Sequence, residues 1–199
     1  MSNSKTRLLL IRHGQTSWNA DGRWQGHGDP GLTDEGVAQA RRLARTLRDD
    51  QHRTWVRIIS SDLERARQTA VAIADQLGLE IELDRRLREL DVGTWSGLTR
   101  EEIRRLDPER LHAFEQGEPT IRPGGGESRI AIRERTHEFV TDLAKRCGGD
   151  RLIVVTHLGV IRALIPGADP SNAGQLEVIA EELAARGIDR RRRVEDGAL

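Results

Sequence analysis

Residues 8–11 read Leu-Leu-Leu-Ile (LLLI) and run directly into Arg12, His13 and Gly14. Large apolar residues without polar alternation, stopped by a glycine, fit a strand buried on both faces. Two further runs share that character, VRII at 56–59 and LIVV at 152–155, and amphipathic helical stretches lie between them. The alternation predicts an α/β fold: a three-layer sandwich with a mostly parallel central sheet and helices on both faces. Within it, 8–11 and 152–155 read as the central strands.

Working outward, the helix after the first loop is expected to begin near Thr33, with Val37, Ala40, Leu43, Ala44 and Leu47 on one face. The next is expected near Asp62, carries Ala66, Ala70, Ile73 and Leu77 at helical spacing, and closes at Gly78. Ile81 and Leu83 alternate with acids, as a half-exposed edge strand would. Thr99 and Glu102 form a capping box for a short helix that Pro108 interrupts or restarts. The stretch 115–128 (EQGEPTIRPGGGES) concentrates Pro and Gly, reads as loop, and belongs to a small helical and loop lid over about 92–128. Ser128 then caps a long helix with Ile132, Phe139, Val140, Leu143 and Cys147 on its apolar face. QLEVIA at 175–180 reads as a last edge strand, within an edge-strand-and-tail region of about 174–199. Residues 1–199 are expected to form one domain.

Composition narrows the classes. The chain has 199 residues, 36% hydrophobic and 32% charged, as in soluble globular proteins. A chain of this length buries about 70% of the surface its unfolded form exposes, enough for a core without staples. Cys147 is the single cysteine, which excludes an internal disulfide, CxxC redox chemistry and cysteine-rich zinc sites, and fits a reducing cytoplasm. Lys+Arg and Asp+Glu both total 32, so no global attraction to nucleic acid or membrane is expected. No apolar run approaches the roughly 20 residues of a membrane span, and the N-terminus leads into a strand rather than a signal-peptide core. Cytoplasmic localisation is the expectation. Only two of the 32 cations are lysine, a compositional bias, and Arg190 to Arg193 read as a solvated tail.

The chemistry sits at the strand ends. Arg12 and His13 follow the first strand, Arg65 lies shortly after the second, and His157 follows the third. In an open α/β sheet ligands bind outside the carboxyl ends of the strands, so these four side chains are expected to converge on one pocket. Two arginines and two histidines suit an anion: arginine presents forked donors to phosphate oxygens, and histidine donates to phosphate or attacks phosphorus.

LLLIRHGQTSWN at 8–19 resembles the signature of the histidine phosphatase superfamily, which includes the cofactor-dependent phosphoglycerate mutases. Further segments resemble the family in order: SSDLERARQTA at 60–70, LRELDVGTWSG at 87–97, GGES at 125–128 and VVTHLGVIRAL at 154–164. The resemblance spans 7–165 and fades after the last strand. It implies that His13 is the nucleophile that takes the phosphoryl group, and that Arg12, Arg65 and His157 hold its oxygens. It makes Glu89 the proton donor to the leaving alcohol and then the base for the hydrolytic water. It places Asn19 at a phosphate-contacting position and Gln25 and Gly26 beside the substrate. It implies no metal and no cofactor, the guanidinium groups neutralising charge. The flanking cations are also expected to disfavour protonation of His13.

The chain departs from the family pattern at Leu158, where many relatives have glycine; the backbone N–H remains but the side chain narrows the pocket. Gly31 is inserted in DPGLT, and the region after Ile165 is short. The reading is a metal-independent phosphatase acting on a small phosphorylated metabolite. The mutase alternative stays open but is disfavoured by the absence of tyrosine, and of lysine between Lys5 and Lys145. A catalytically weak phospho-ligand sensor is the other alternative, and a homodimer is left open. His27, in the first loop, is the one other histidine placed to touch substrate; His52, His112 and His137, like His27, are expected at the surface. Trp18, Trp24 and Trp95 read as loop anchors and Trp55 as core or rim. Gly26, Gly28 and Gly31 spell GxGxxG without a preceding strand, which argues against a dinucleotide site.

Overall fold

The computed structural model of the chain describes residues 5–50 and 52–187, so the Arg190 to Arg193 run lies outside the described residues. In chain order it contains β1 (Arg7–Arg12), α1 (Ser17–Ala20), α2 (Asp34–Asp49), β2 (Arg57–Ser60), α3 (Glu64–Leu77), β3 (Ile81–Leu83), α4 (Arg100–Leu106), α5 (Pro108–Glu115), α6 (Arg129–Arg146), β4 (Arg151–Thr156), α7 (Leu158–Leu164), β5 (Gln175–Ile179) and α8 (Ala180–Ala185). The strands form one sheet in the order β3-β2-β4-β1-β5. All pairs are parallel except β1 with β5, where Leu9 faces Glu177.

Strand alternation builds the three layers. Leu8 and Leu10 of β1 and Leu152 and Val154 of β4 pack on Phe139, Val140 and Leu143 of α6, with α7 and α8 completing that core. Leu9, Ile11, Ile153 and Val155 point to the other face, against Leu43 and Leu47 of α2 and Ala66, Ala70 and Ile73 of α3. Both faces of the two central strands are buried, and each fully buried Leu or Ile contributes about 1.5–3 kcal/mol of transfer free energy.

Local signals explain most boundaries. The Thr33 hydroxyl accepts the Gly36 N–H (3.0 Å) and starts α2. Thr99 and Glu102 form the capping box of α4, and Pro108 restarts the chain as α5. The Ser128 hydroxyl accepts the Ala131 N–H (3.2 Å) and starts α6, whose C-cap is the buried Cys147. Gly78, at φ +65°, closes α3 with its N–H on the Ala74 carbonyl.

Helix α3, in contrast, begins at Glu64, two residues after the expected start. Asp62 is held by Arg88 (2.7 Å), and the first amides of α3 are received instead by the Asp29 carboxylate, which binds the N–H of Glu64 and of Arg65. A cap from a distant loop has no local sequence pattern. His137 is half-buried rather than exposed, and its Nε2–H donates to the Ala184 carbonyl (2.9 Å), tying α6 to α8. His27, His52 and His112 are exposed, and Trp55 is buried.

The segment between β3 and α6 carries a small core of its own. Val92, Trp95, Ile103, Leu111 and Phe114 cluster there, and Trp24 of the first loop meets Trp95 and Phe114 edge-on at centroid distances of 5.4 and 5.5 Å. Backbone bonds from Trp24 to Leu98 and from Gly97 to Trp24, each 2.8 Å, fasten this layer to the first loop. Among the described residues no helix is long and apolar enough to cross a membrane.

Candidate active site

Because β1, β2 and β4 are parallel, their carboxyl ends share one edge of the sheet and deliver His13, Ser61 and His157 side by side. The His13 N–H donates to the Thr156 carbonyl of β4 (2.9 Å), and its ring is 5.1 Å from that of His157. His13 Nδ1 lies 2.7 Å from the Gly14 carbonyl. A carbonyl only accepts, so the proton sits on Nδ1 and Nε2 keeps its lone pair. Arg65 Nε–H points at that lone pair from 3.3 Å.

Burial is the main cause that holds the His13 pKa well below the ordinary imidazole range, and the charges of Arg65 and Arg12 push the same way. The flanking cations push in the expected direction, with desolvation as the larger cause.

Arg65 is fully buried, and four of its five N–H groups find acceptors. Besides His13 it donates to the carbonyls of Gly28 and Gly26 (2.8 Å each) and pairs with Asp29 (3.2 Å). The glycine-rich first loop therefore turns carbonyl oxygens toward Arg65, the opposite polarity to a phosphate cradle. Burial lowers the Arg65 pKa, opposed by Glu89 and Asp29. Gly26 sits at φ +51° with Val92 too close for any side chain, which brings the loop against the residues after Glu89.

Of the residues singled out from sequence, Arg12, His13, Asn19, Gln25, Gly26, Glu89 and Leu158 line one cavity of about 250 Å³. Arg65 and His157, both fully buried, lie against His13 without forming the cavity wall. Arg12 donates to the Pro170 carbonyl (3.0 Å) and keeps a buried Nε without a partner. The Glu89 carboxylate accepts the N–H of Leu90 (2.8 Å) and of Gly159 (3.3 Å), and a Cβ at Gly159 would collide with it. Asn19 Oδ1 accepts from the Thr16 N–H (3.2 Å), and the Thr16 hydroxyl donates to Gln25 Oε1 (3.0 Å). His27 is outside the cavity and bonds the Glu89 carbonyl (2.9 Å).

Sequence reasoning missed part of the wall. Arg129, Ile132 and Arg133 face the cavity from the first turns of α6, at the helical spacing that had assigned Ile132 to the core. Arg23 and Arg162 also reach it, and Trp24 is a wall as well as an anchor. Asn172 donates to the His13 carbonyl (3.2 Å) and to Asn19 Oδ1 (3.1 Å) from a loop with no motif.

The profile of the histidine phosphatase superfamily (branch 1) matches residues 8–186. The chain belongs to that superfamily. Its relatives in the histidine phosphatase superfamily include phosphoglycerate mutase-like protein 4 of Arabidopsis thaliana, 42% identical over 82% of this chain and 71% of that protein. A metal-independent phosphoserine phosphatase of the same plant is 38% identical over 86% of this chain and 72% of its own length. Among solved histidine phosphatase-like structures, mycobacterial glucosyl-3-phosphoglycerate phosphatase in complex with VO3 superposes with a TM-score of 0.77. It is 34% identical and covers 86% of this chain and 91% of that one. The superfamily match continues through β5 and α8, beyond Ile165 and the last strand, after which the resemblance in the sequence was expected to fade.

Proposed function

We propose that this member of the histidine phosphatase superfamily hydrolyses a small-molecule phosphomonoester, without a metal ion, through a phosphohistidine on His13. The observation that carries the reading is the geometry of His13: the Gly14 carbonyl engages Nδ1 and leaves the lone pair on Nε2, on a cavity that Glu89 also lines. The relatives named for phosphoserine and glucosyl-3-phosphoglycerate support a small phosphorylated metabolite as substrate. The arginines on the wall, set against the single carboxylate Glu89, favour an anionic ligand.

In the proposed reaction His13 Nε2 attacks phosphorus and the P–O bond to the leaving alcohol breaks. That oxygen takes the proton of the Glu89 carboxyl, and Arg12, Arg65 and His157 hold the phosphoryl oxygens. Arg65 exchanges its bond to Nε2 for one to phosphoryl oxygen, so the nucleophile is released as the substrate arrives. Glu89, now a carboxylate, removes a proton from water; the water oxygen attacks phosphorus and the Nε2–P electron pair returns to the ring. Asn19, Gln25 and Gly26 shape the phosphoryl end, and Leu158 limits the alcohol. We read residues 1–199 as one catalytic unit with 92–128 as its lid.

The test is hydrolysis of an activated aryl phosphate in excess EDTA by the wild type and His13→Ala. Activity that survives chelation and is lost in the variant supports the reading. Equal activity in both proteins rejects His13, and phosphate bound without turnover of any ester identifies a sensor instead.

A further inference from the structure

We propose that Ser61 is a positioning residue that sets the tautomer of His157, so that His157 offers an N–H rather than a lone pair to the phosphoryl group; this rests on the phosphatase reading above. Ser61 follows β2 and is fully buried. Its Oγ lies 2.8 Å from His157 Nε2 and accepts the Leu63 N–H at 3.3 Å. The hydroxyl, already an acceptor from Leu63, has one proton to give, and Nε2 is the acceptor beside it. With a phosphoryl oxygen beside Nδ1, a ring proton on Nδ1 and the Ser61 proton on Nε2 give both donors an acceptor, whereas a ring proton on Nε2 would leave the buried Ser61 O–H without one, at a cost of about 1–3 kcal/mol. The Ser61 proton therefore goes to Nε2, and the ring proton of His157 sits on Nδ1.

His157 Nδ1 is buried and has no partner within the protein. An N–H in that state, on a ring 5.1 Å from His13, is a hydrogen-bond donor held for a group the protein itself does not supply. The two histidines are thus used through opposite nitrogens. The Gly14 carbonyl takes the Nδ1–H of His13 and leaves its lone pair on Nε2; the Ser61 hydroxyl takes the Nε2 lone pair of His157 and leaves its Nδ1–H without a partner in the protein. A lone pair on His157 would repel the phosphoryl oxygens that an N–H stabilises.

The experiment combines ¹⁵N NMR of the histidine rings with kinetics on the wild type, Ser61→Ala and Ser61→Thr. In the wild type, His157 is expected to show a protonated, pyrrole-like Nδ1 and an unprotonated, pyridine-like Nε2. Ser61→Ala is expected to mix or reverse the tautomers, weaken binding of inorganic phosphate, and lower kcat about tenfold to hundredfold, as loss of a tautomer-setting partner does elsewhere. Ser61→Thr, which keeps the hydroxyl, restores both the tautomer and kcat. A wild-type His157 protonated on Nε2, or a Ser61→Ala variant with unchanged ring shifts and kcat, overturns the proposal. The ring shifts and phosphate affinity are read without turnover, so a wild type that hydrolyses nothing would refute the phosphatase reading while leaving the tautomer assignment to stand or fall by itself.

Discussion

Arg65 donates its Nε–H to the Nε2 of His13 across 3.3 Å, with Arg65 buried behind His13 and His13 on the cavity wall. The same guanidinium carries the carbonyls of Gly26 and Gly28, so one residue links the nucleophile to the loop that walls the substrate. Arg65→Lys keeps the charge but cannot make this fork. We expect a fall of about 100-fold to 1,000-fold in kcat, the scale for a lost transition-state donor. A drop in Tm should accompany it, because the buried Gly26 carbonyl and the half-buried Gly28 carbonyl lose their donors. Steady-state kinetics and thermal unfolding of the one variant check both. Wild-type kcat in that variant would show that positive charge alone is what His13 needs.

The depressed pKa values of His13 and His157, caused first by burial and then by the charge of Arg65, make a pH prediction. In the unfolded chain both rings protonate near 6.5, whereas in the folded protein they resist protonation. The unfolded state therefore binds more protons below about pH 6.5, and stability is lost as pH falls from there toward the folded values. It is fully present above that window. Tm measured from pH 8 to pH 5 should decline more steeply for the wild type than for a His13→Gln, His157→Gln double variant. For the same reason kcat/KM should not lose activity on a limb at the ordinary imidazole pKa.

Gly159 is placed where a Cβ would strike the Glu89 carboxylate, whose oxygen it binds through its N–H. Gly159→Ala should displace Glu89 without removing it. If Glu89 protonates the leaving oxygen, the variant loses about 100-fold or more in kcat/KM, which reports the steps up to departure of the alcohol, on alkyl phosphates, where general acid catalysis is needed. It should lose far less on an activated aryl phosphate, whose leaving group departs unprotonated. Comparing the two substrate types in Gly159→Ala and Glu89→Gln checks this, and equal losses on both would remove Glu89 from the role of acid.

What was legible in the sequence followed from short-range rules. The LLLI and LIVV runs gave both central strands because residues buried on two faces need no alternation, and the caps at Thr33, Thr99 and Ser128 each act within three residues. The site was legible where strand ends deliver side chains, as with His13 and His157. Contacts made across the fold were not legible. Asp29 caps a helix from 35 residues away, and Asn172 reaches His13 from 159 residues away. Ser61 sits within a family-like segment, yet the role proposed for it rests on its distance to His157, which follows a different strand. Arg129 and Arg133 carry no signal of their own, because periodicity shows which face of a helix is apolar but not that the end of that face opens on a cavity.

Leu158 lines this cavity together with Glu89 and Gly159. Its side chain stands on the wall, while its backbone belongs to the first turn of α7, so Leu158→Gly enlarges the space without moving the strand that carries His157. The exchange at a helix start costs about 1 kcal/mol or less of stability. For esters whose alcohol is small, kcat/KM should change little, since Leu158 adds only apolar contact. For esters with a bulky alcohol, relief of the clash should raise kcat/KM by about 10-fold to 100-fold, the range that a few methylenes command in a pocket. A panel of phosphomonoesters graded by alcohol size, assayed on wild type and Leu158→Gly, measures this directly. A uniform effect across the panel would mean that size is selected elsewhere on the wall, with Trp24 and Phe114 the next side chains to truncate.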